Sequence, residues 1–187
     1  TLMFRTFLYH VPENFTASFR GYNFFFHIVA GVLTYALVVT GTDWAFFGAT
    51  RSSSFYPLIM GAGIGGFFIP VLVPVGLYLW GEWRGKSDLM HKAGALAEAG
   101  VIAWLISSAY KVFTGRIQPE FLTNISSLDI TREFHFGFLQ NGIYWGWPSS
   151  HAAVAVAMSV ALVLLFPNNR IARYGALLYA LFIALGA

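Results

Sequence analysis

The sequence predicts an all-α fold, a polytopic membrane helix bundle, and three observations carry that prediction. Of the 187 residues, 57% are hydrophobic and only 10% are charged, whereas a soluble domain carries about 25% charged residues. The mean hydropathy is +0.65. The apolar residues also fall in runs that approach the length of about 20 residues needed to cross a bilayer as a helix.

Five runs have the composition of membrane spans, and we treat residues 1–187 as a single membrane domain. The segment before them, 1–22, is rich in aromatic residues and carries two arginines, which is typical of an amphipathic segment lying in the membrane interface. Between the third and fourth spans, residues 111–148 form a long loop. The predicted spans are 23–41, 57–80, 93–110, 149–166 and 171–187.

Composition also limits the function classes. The chain has no cysteine, which excludes disulfides, thiolate catalysis and cysteine-ligated metals. Its formal net charge of +3 is small. Such a charge indicates loop lysines and arginines beside a membrane and not a nucleic-acid surface. Membrane lipids are therefore the expected partners, nucleic acid is not, and the oligomeric state stays open.

The loop cations predict the orientation, because cytoplasmic loops carry an excess of lysine and arginine. With alternating spans, the richer side places the N-terminus in the cytoplasm and the 111–148 loop outside. We therefore expect an integral protein of a bacterial inner membrane whose 111–148 loop faces the periplasm. The richer side collects Arg5, Arg20, Arg84, Lys86, Lys92, Arg170 and Arg173, and the other side Arg51, Lys111, Arg116 and Arg132.

The mouth of the fourth span carries polar groups suited to binding an anion. Its sequence is Pro148-Ser149-Ser150-His151, directly before a run of alanines and valines. Proline suits the first helical position, and the free N–H groups of a helix start bind phosphate. The serine hydroxyls add donors, and the imidazole can hold or release a proton near neutral pH. Taken alone, the pattern also fits serines that only cap the helix.

A second polar group closes the third span in the stretch "YKVFTGRIQPEF". Lys111 ends the span, Gly115 breaks the helix and Arg116 follows at once. These cations lie on the predicted outer side, against the positive-inside trend, which indicates an anionic partner. Ordinary snorkelling of cations at a helix end is the alternative.

Together the two groups resemble the type 2 phosphatidic acid phosphatase (PAP2) family, which includes lipid phosphatases and vanadium haloperoxidases. Its first motif is Lys-x6-Arg-Pro, its second Pro-Ser-Gly-His and its third Ser-Arg-x5-His-x3-Asp. This chain has Lys111-x4-Arg116-x2-Pro119 and then Pro148-Ser-Ser-His151. The resemblance covers Lys111 to about Ala187 and implies a six-helix membrane form, so five spans are visible of an expected six.

The resemblance implies roles for the matching positions and a lipid phosphate as substrate. Lys111 would grip the phosphate, Ser149 and the Ser150 amide would bind its oxygens, and His151 would protonate the leaving alkoxide. Gln118 stands where the family has its first-motif arginine, and Arg116 would take over part of that work. Serine at 150 replaces glycine but keeps the amide. No metal and no other cofactor is implied.

The third motif supplies the family's nucleophilic histidine, its orienting aspartate and a phosphate-binding arginine, and the sequence as far as Ala187 does not contain it. We expect it beyond residue 187. His135 lies between the first two motifs and is not assigned that role. The implied chemistry is in-line attack by that histidine, protonation of the leaving oxygen by His151, and hydrolysis of the phosphohistidine by water.

Three further signals do not carry the function. The stretch "GAGIGG", Gly61–Gly66, matches a dinucleotide-binding pattern, but it follows no strand and lies inside an apolar span, so close helix packing explains it. His27 and Glu98 are ionisable residues inside predicted spans. Such residues are costly in a membrane and would matter most in a transporter.

The sequence is therefore interpreted as a membrane phosphatase acting on a lipid phosphate monoester or pyrophosphate at the outer face. A phosphotransferase with the same pocket is the first alternative, because an acceptor other than water would use the same groups. A transporter or other non-catalytic membrane protein that retains a degenerate pocket is the second, and Gln118 is its support.

Overall fold

The computed structural model describes residues 2–51, 53–54, 56–118, 129, 131–140 and 146–186, with the backbone alone over residues 2–9. Its described residues form seven α-helices and no strand, which confirms the all-α prediction. The helices are α1 (Leu2–Ala17), α2 (Tyr22–Val39), α3 (Thr42–Arg51), α4 (Tyr56–Trp83), α5 (Ser87–Thr114), α6 (Ser150–Leu165) and α7 (Arg170–Gly186).

Among the described residues, three helices are long and apolar enough to cross a membrane, namely α2, α4 and α5. Helix α6 is a shorter apolar helix of 16 residues, and α7 has 17. Side chains that face away from the packed surfaces of α4 are themselves apolar, as at Phe67, Val71 and Leu72. The chain is therefore a helical membrane protein.

The helices lie where the sequence predicts spans, but with different lengths. Helices α4 and α5 each have 28 residues and extend beyond the predicted 57–80 and 93–110. Gly85 lies in the short turn between these two helices and has a positive φ of 61°. The Lys86 amide donates to the Gly81 carbonyl and the Gly85 amide to Glu82, the Schellman arrangement that satisfies the last carbonyls of a helix.

Helix α3 was not predicted. Its ten residues follow α2 after one tight turn at Thr40–Gly41, and α2 packs against it. Asp43 stands in its first turn and Arg51 in its last, so both charges complement the helix dipole. The helix matters because it carries Asp43 to the candidate site.

The chain divides into two compact units. Unit 1 comprises Thr1–Val11, Pro57–Leu105 and Ser149–Ala187, and unit 2 comprises Pro12–Tyr56 and Ile106–Pro148. In unit 1, α6 packs against α7, and one core cluster joins Ala62, Ala155 and Ile183. A second cluster joins Leu96, Val154 and Met158.

The glycines of Gly61–Gly66 let the helices of unit 1 approach closely. A Cβ at Gly65 would lie 3.6 Å from Ile183 of α7, and one at Gly61 would lie 3.8 Å from Phe182. A Cβ at Gly66 would lie 2.9 Å from His151 of α6. Small residues at helix interfaces are typical of membrane bundles, and this stretch lies within α4 as such an interface.

Candidate functional site

The C-terminus of α5, in unit 2, carries Lys111 in its last turn. A cation there is favourable, because helix carbonyls concentrate negative charge at the C-terminus. Gly115 ends the helix with a φ of 54°, and its amide donates to the Lys111 carbonyl over 3.3 Å. The sequence prediction of a helix break at Gly115 is therefore confirmed. Lys111 itself is partly buried.

The segment 131–140 pairs with the end of α5. Three alternate amides of residues 135–139 donate to the remaining carbonyls of the last turn: His135 to Thr114, Gly137 to Phe113 and Leu139 to Val112, over 3.0–3.1 Å. Together with the Gly115 amide, these bonds satisfy all four terminal carbonyls of α5, which a helix leaves without internal partners. The loop is thereby held beside the first-motif residues.

The side chains of the same segment form an aromatic face. Because residues alternate along an extended chain, Phe134 and Phe136 point the same way, and their rings stack at 5.4 Å with an interplanar angle of 11°. Phe138 lies 5.9 Å from Phe113 of α5. Phe136 and Phe138 are 70% and 66% exposed.

Arg116 lies in a network of hydrogen bonds within unit 2. Its Nε donates to the Thr131 carbonyl over 2.7 Å, and its Nη2 donates to Thr131 Oγ1 over 3.2 Å. The same Nη2 forms an ion pair with the Asp43 carboxylate. The guanidinium also lies 5.8 Å from the centre of the Phe134 ring. These contacts fix the plane of the guanidinium.

The segment that leads into the second motif also contacts the first motif, still within unit 2. Thr114 Oγ1 donates to the Trp147 carbonyl over 3.1 Å. Gly146 lies directly against the Arg116 carbonyl, so that a Cβ at Gly146 would overlap it. The Trp147 ring lies 5.8 Å from Tyr110 and 6.5 Å from Phe134. Glycine at 146 is therefore required by this close backbone approach.

In unit 1, Ser149 is the N-cap of α6, and its hydroxyl accepts a hydrogen bond from the Ala152 amide at 3.3 Å. Ser150 is the first residue of the helix. The expectation that Pro148 occupies the first helical position is wrong, because the extended backbone of Ser149 (ψ 119°) delays the helix start to Ser150. Ser150 and His151 are thus the first two residues of α6, and the start of a helix is a place where proteins commonly bind anions.

His151 stands in the first turn of α6 and is exposed. Gly66 of α4 faces its Cβ and Cδ2. A side chain at position 66 would occupy the space of the imidazole. Glycine at this position therefore allows His151 to lie directly against α4. Sequence reasoning did not identify Gly66 as a neighbour of His151.

The structure thus groups the predicted residues in two sets. Unit 2 brings Lys111 and Arg116 to the end of α5, and unit 1 brings Ser149, Ser150 and His151 to the start of α6. Gln118 is part of the described chain, whereas Pro119 lies outside the described residues. Among the described residues, no group of three or more histidines or carboxylates is arranged to hold a metal ion.

His27 has a structural explanation in unit 2. Its Nε2 lies 2.9 Å from the Ser18 carbonyl, and its Nδ1 lies 2.8 Å from the Tyr110 hydroxyl. Because a carbonyl only accepts, Nε2 donates to Ser18, and Nδ1 forms the second hydrogen bond with the tyrosine hydroxyl. Phe19 stacks on the ring at 4.6 Å. Both ring nitrogens are bonded, which offsets the cost of a polar group in a span.

Asp43 and Thr131 were missed by sequence reasoning. They lie 73 and 15 residues from Arg116 along the chain, and no spacing rule connects such positions. The one local signal for Asp43 is its place beside Thr42 at the start of a short segment ending in Arg51, which is typical of a helix start.

Comparison with known families finds a match over residues 92–187, slightly more than half of the chain, to the PAP2 superfamily. The matched region begins within α5 and includes all five predicted site residues. Comparison with curated proteins and with solved structures finds no significant match.

Proposed function

Because the chain belongs to the PAP2 superfamily, we propose that it is an integral-membrane phosphatase that hydrolyses a lipid phosphate monoester or pyrophosphate. The observation that carries this proposal is the start of α6. There Ser149 caps the helix, and Ser150 and His151 follow in its first turn. A helix start that can bind an anion and an imidazole that can donate a proton, within three consecutive residues, are what phosphoryl transfer from a substrate with a poor leaving group needs.

At the start of α6, both backbone and side-chain groups are proposed to act on the phosphate. The Ser149 hydroxyl and the Ser150 amide are proposed to bind phosphate oxygens, and His151 to act as general acid. The exposure of His151 supports access by a substrate. Lys111 and Arg116 are proposed to supply positive charge to the phosphate, since electrostatic stabilisation is a main source of rate in phosphoryl transfer.

The proposed reaction has two steps and uses no metal. In the first, a histidine of the third motif, expected after residue 187, attacks phosphorus in line. The N–P bond forms, the P–O bond to the lipid breaks, and the His151 proton moves to the departing oxygen. In the second, water attacks phosphorus, His151 takes a proton from that water and the N–P bond breaks, which releases phosphate and restores both histidines.

The proposed sidedness follows from the loop cations and places the start of α6 outside the cytoplasm, with the N-terminus inside. The exposed Phe136 and Phe138 support a position of the outer loop at the headgroup level. A lipid phosphate of the outer leaflet would then present its headgroup without leaving the membrane.

Phosphate release from a lipid phosphate in detergent micelles tests the proposal, with the full-length protein and its His151→Ala variant. We expect wild-type release and a loss of about 10²–10⁴-fold in the variant, the usual contribution of a general acid. His91→Ala is the matched control, because His91 is an exposed histidine on α5 whose Nδ1 contacts the Ser87 carbonyl. Equal activity of the His151→Ala variant and wild type would refute the assignment.

The same assay separates the alternative functions. If an added alcohol or lipid acceptor takes the phosphate in preference to water, the protein is a phosphotransferase with the same pocket. If neither release nor transfer occurs from any lipid phosphate or pyrophosphate, the non-catalytic membrane protein is favoured.

A further inference from the structure

We infer that Asp43 is a positioning residue, which acts through Arg116 to hold the segment entering the second motif. The inference rests on the proposed phosphatase function for its kinetic consequences, but its structural part stands on contacts within unit 2 alone. Asp43 belongs to α3, outside both family motifs and outside the matched region 92–187.

The guanidinium of Arg116 is held in one geometry by its hydrogen bonds. Arginine has five N–H donors in a rigid fork, and three of them are directed here to Asp43 and to two oxygens of Thr131. The Arg116 side chain is only 11% exposed and that of Asp43 28%. A guanidinium held at three points in a partly buried site has one orientation.

Thr131, which accepts two of the hydrogen bonds from Arg116, is itself held in place by Asp129. Thr131 is 1% exposed, and its amide and hydroxyl both donate to Asp129 Oδ1, over 2.9 and 2.7 Å. Its hydroxyl therefore donates to Asp129 while it accepts from Arg116, a chain in which each bond polarises the next. Asp43 completes the arrangement from the other side, at the dipole-favoured start of α3.

The backbone of Arg116 contacts the segment Gly146–Trp147, which leads into the second motif. Its carbonyl contacts Gly146 closely enough to exclude any side chain there, and the Trp147 carbonyl accepts from Thr114, two residues before Arg116. Rotation of the guanidinium away from Asp43 and Thr131 would free the Arg116 backbone from its anchors. The position of Gly146 and Trp147, which lead directly into Pro148, depends on that backbone.

A lysine at 116 cannot replace this arrangement, because an ammonium group is a point charge without the planar fork. This distinction separates two roles for Arg116. If it supplied only charge to phosphate, Arg116→Lys would retain function. If it is a clamp oriented by Asp43, Arg116→Lys and Asp43→Asn would fail in the same way.

The test is a double-mutant cycle with Asp43→Asn, Arg116→Lys and the double variant, measured as kcat and KM for phosphate release. We expect each single variant to lose about 10–100-fold in kcat with little change in KM, the scale of a displacement of about 1 Å at a reacting site. The double variant should be no slower than the slower single variant. Losses that multiply, or an Arg116→Lys variant with wild-type kcat, would overturn the inference.

Hydrogen exchange of the 131–140 segment supplies a readout that does not depend on activity. Exchange should accelerate in Asp43→Asn and stay at the wild-type rate in Asp88→Asn, whose carboxylate pairs with Lys92 at 2.8 Å on α5. Unchanged exchange in Asp43→Asn would refute the clamp even if the protein proved to have no phosphatase activity. Conversely, if the wild-type protein has no phosphatase activity but exchange accelerates in Asp43→Asn, the clamp is supported while the proposed function fails.

Asp43→Asn is not the only route if that variant fails to fold. Thr131→Val removes the hydroxyl that bridges Arg116 and Asp129 and leaves the carboxylate of Asp43 in place. We expect the same fall in kcat and the same faster exchange, to a smaller extent. A Thr131→Val protein with wild-type values for both would contradict the inference.

Discussion

Gly66→Ala is expected to displace His151 and so to slow the reaction. The added Cβ would lie 2.9 Å from both Cβ and Cδ2 of His151, whereas carbon atoms pack at about 3.5–4.0 Å. The shortfall is therefore about 0.6 Å or more. Because His151 Cβ is bonded to the backbone, a rotamer change cannot relieve the clash, and α6 must move relative to α4.

The cost follows from that displacement. Overpacking of this kind destabilises by about 1–3 kcal/mol. A shift approaching 1 Å at a catalytic group costs up to about 10²-fold in rate, so we expect a loss of about 10-fold or more in kcat. At this contact both α4 and α6 belong to unit 1.

Gly63→Ala is the matched control on the same helix. Nothing lies within 4 Å of a Cβ at Gly63, and alanine is favoured over glycine in a helix by about 1 kcal/mol. We expect Gly63→Ala to have the wild-type kcat and an equal or higher Tm, whereas both kcat and Tm should be lower in Gly66→Ala. Equal kcat and Tm in the two variants would show that α4 does not limit the position of His151.

Three further changes have defined outcomes. Ser149→Ala removes the cap of α6 and should destabilise by about 1 kcal/mol, whereas Ser149→Gly should cost only a few tenths; both should raise KM if the hydroxyl binds phosphate, and a KM unchanged in both would exclude that contact. Tyr110→Phe leaves His27 Nδ1 without its hydrogen-bond partner and should destabilise by about 1–3 kcal/mol, while Tyr22→Phe, at an 89% exposed side chain, should leave Tm unchanged. Gly146→Ala places a Cβ against the Arg116 carbonyl, so phosphate release should fall further than in Gly66→Ala. Release at the wild-type rate would contradict the close approach of Gly146 to the Arg116 carbonyl.

Much of the fold could be predicted because a membrane span imposes a simple pattern on the sequence. The apolar run of 57–80 needs only its length and lack of charge to indicate a helix, and α4 lies there. Its glycines could be interpreted as packing positions for the same reason, since close approach of helices in lipid depends on small residues. The existence of α6 and of a capping serine before it was predictable, because a serine followed by an apolar run is a local signal.

The clamp on Arg116 could not be predicted, because it joins residues that no periodicity relates. Asp43 meets Arg116 through α3, a ten-residue helix whose sequence has no apolar span. The correct helix start at Ser150 also escaped prediction, since proline at the first helical position is only a statistical preference and the conformation of Ser149 overrode it. Local rules describe single helices, whereas the contacts between distant segments depend on the tertiary fold.

The most direct measurement compares two substrates in the His151→Ala variant: an alkyl lipid phosphate, whose leaving oxygen needs a proton, and p-nitrophenyl phosphate, whose leaving group does not. The general-acid role predicts that the first turnover of the lipid phosphate slows by about 10²–10⁴-fold, while release of p-nitrophenolate in the first turnover stays within a few-fold of wild type. Equal losses on both substrates, or no loss on the lipid phosphate, would contradict the assignment of His151 as general acid.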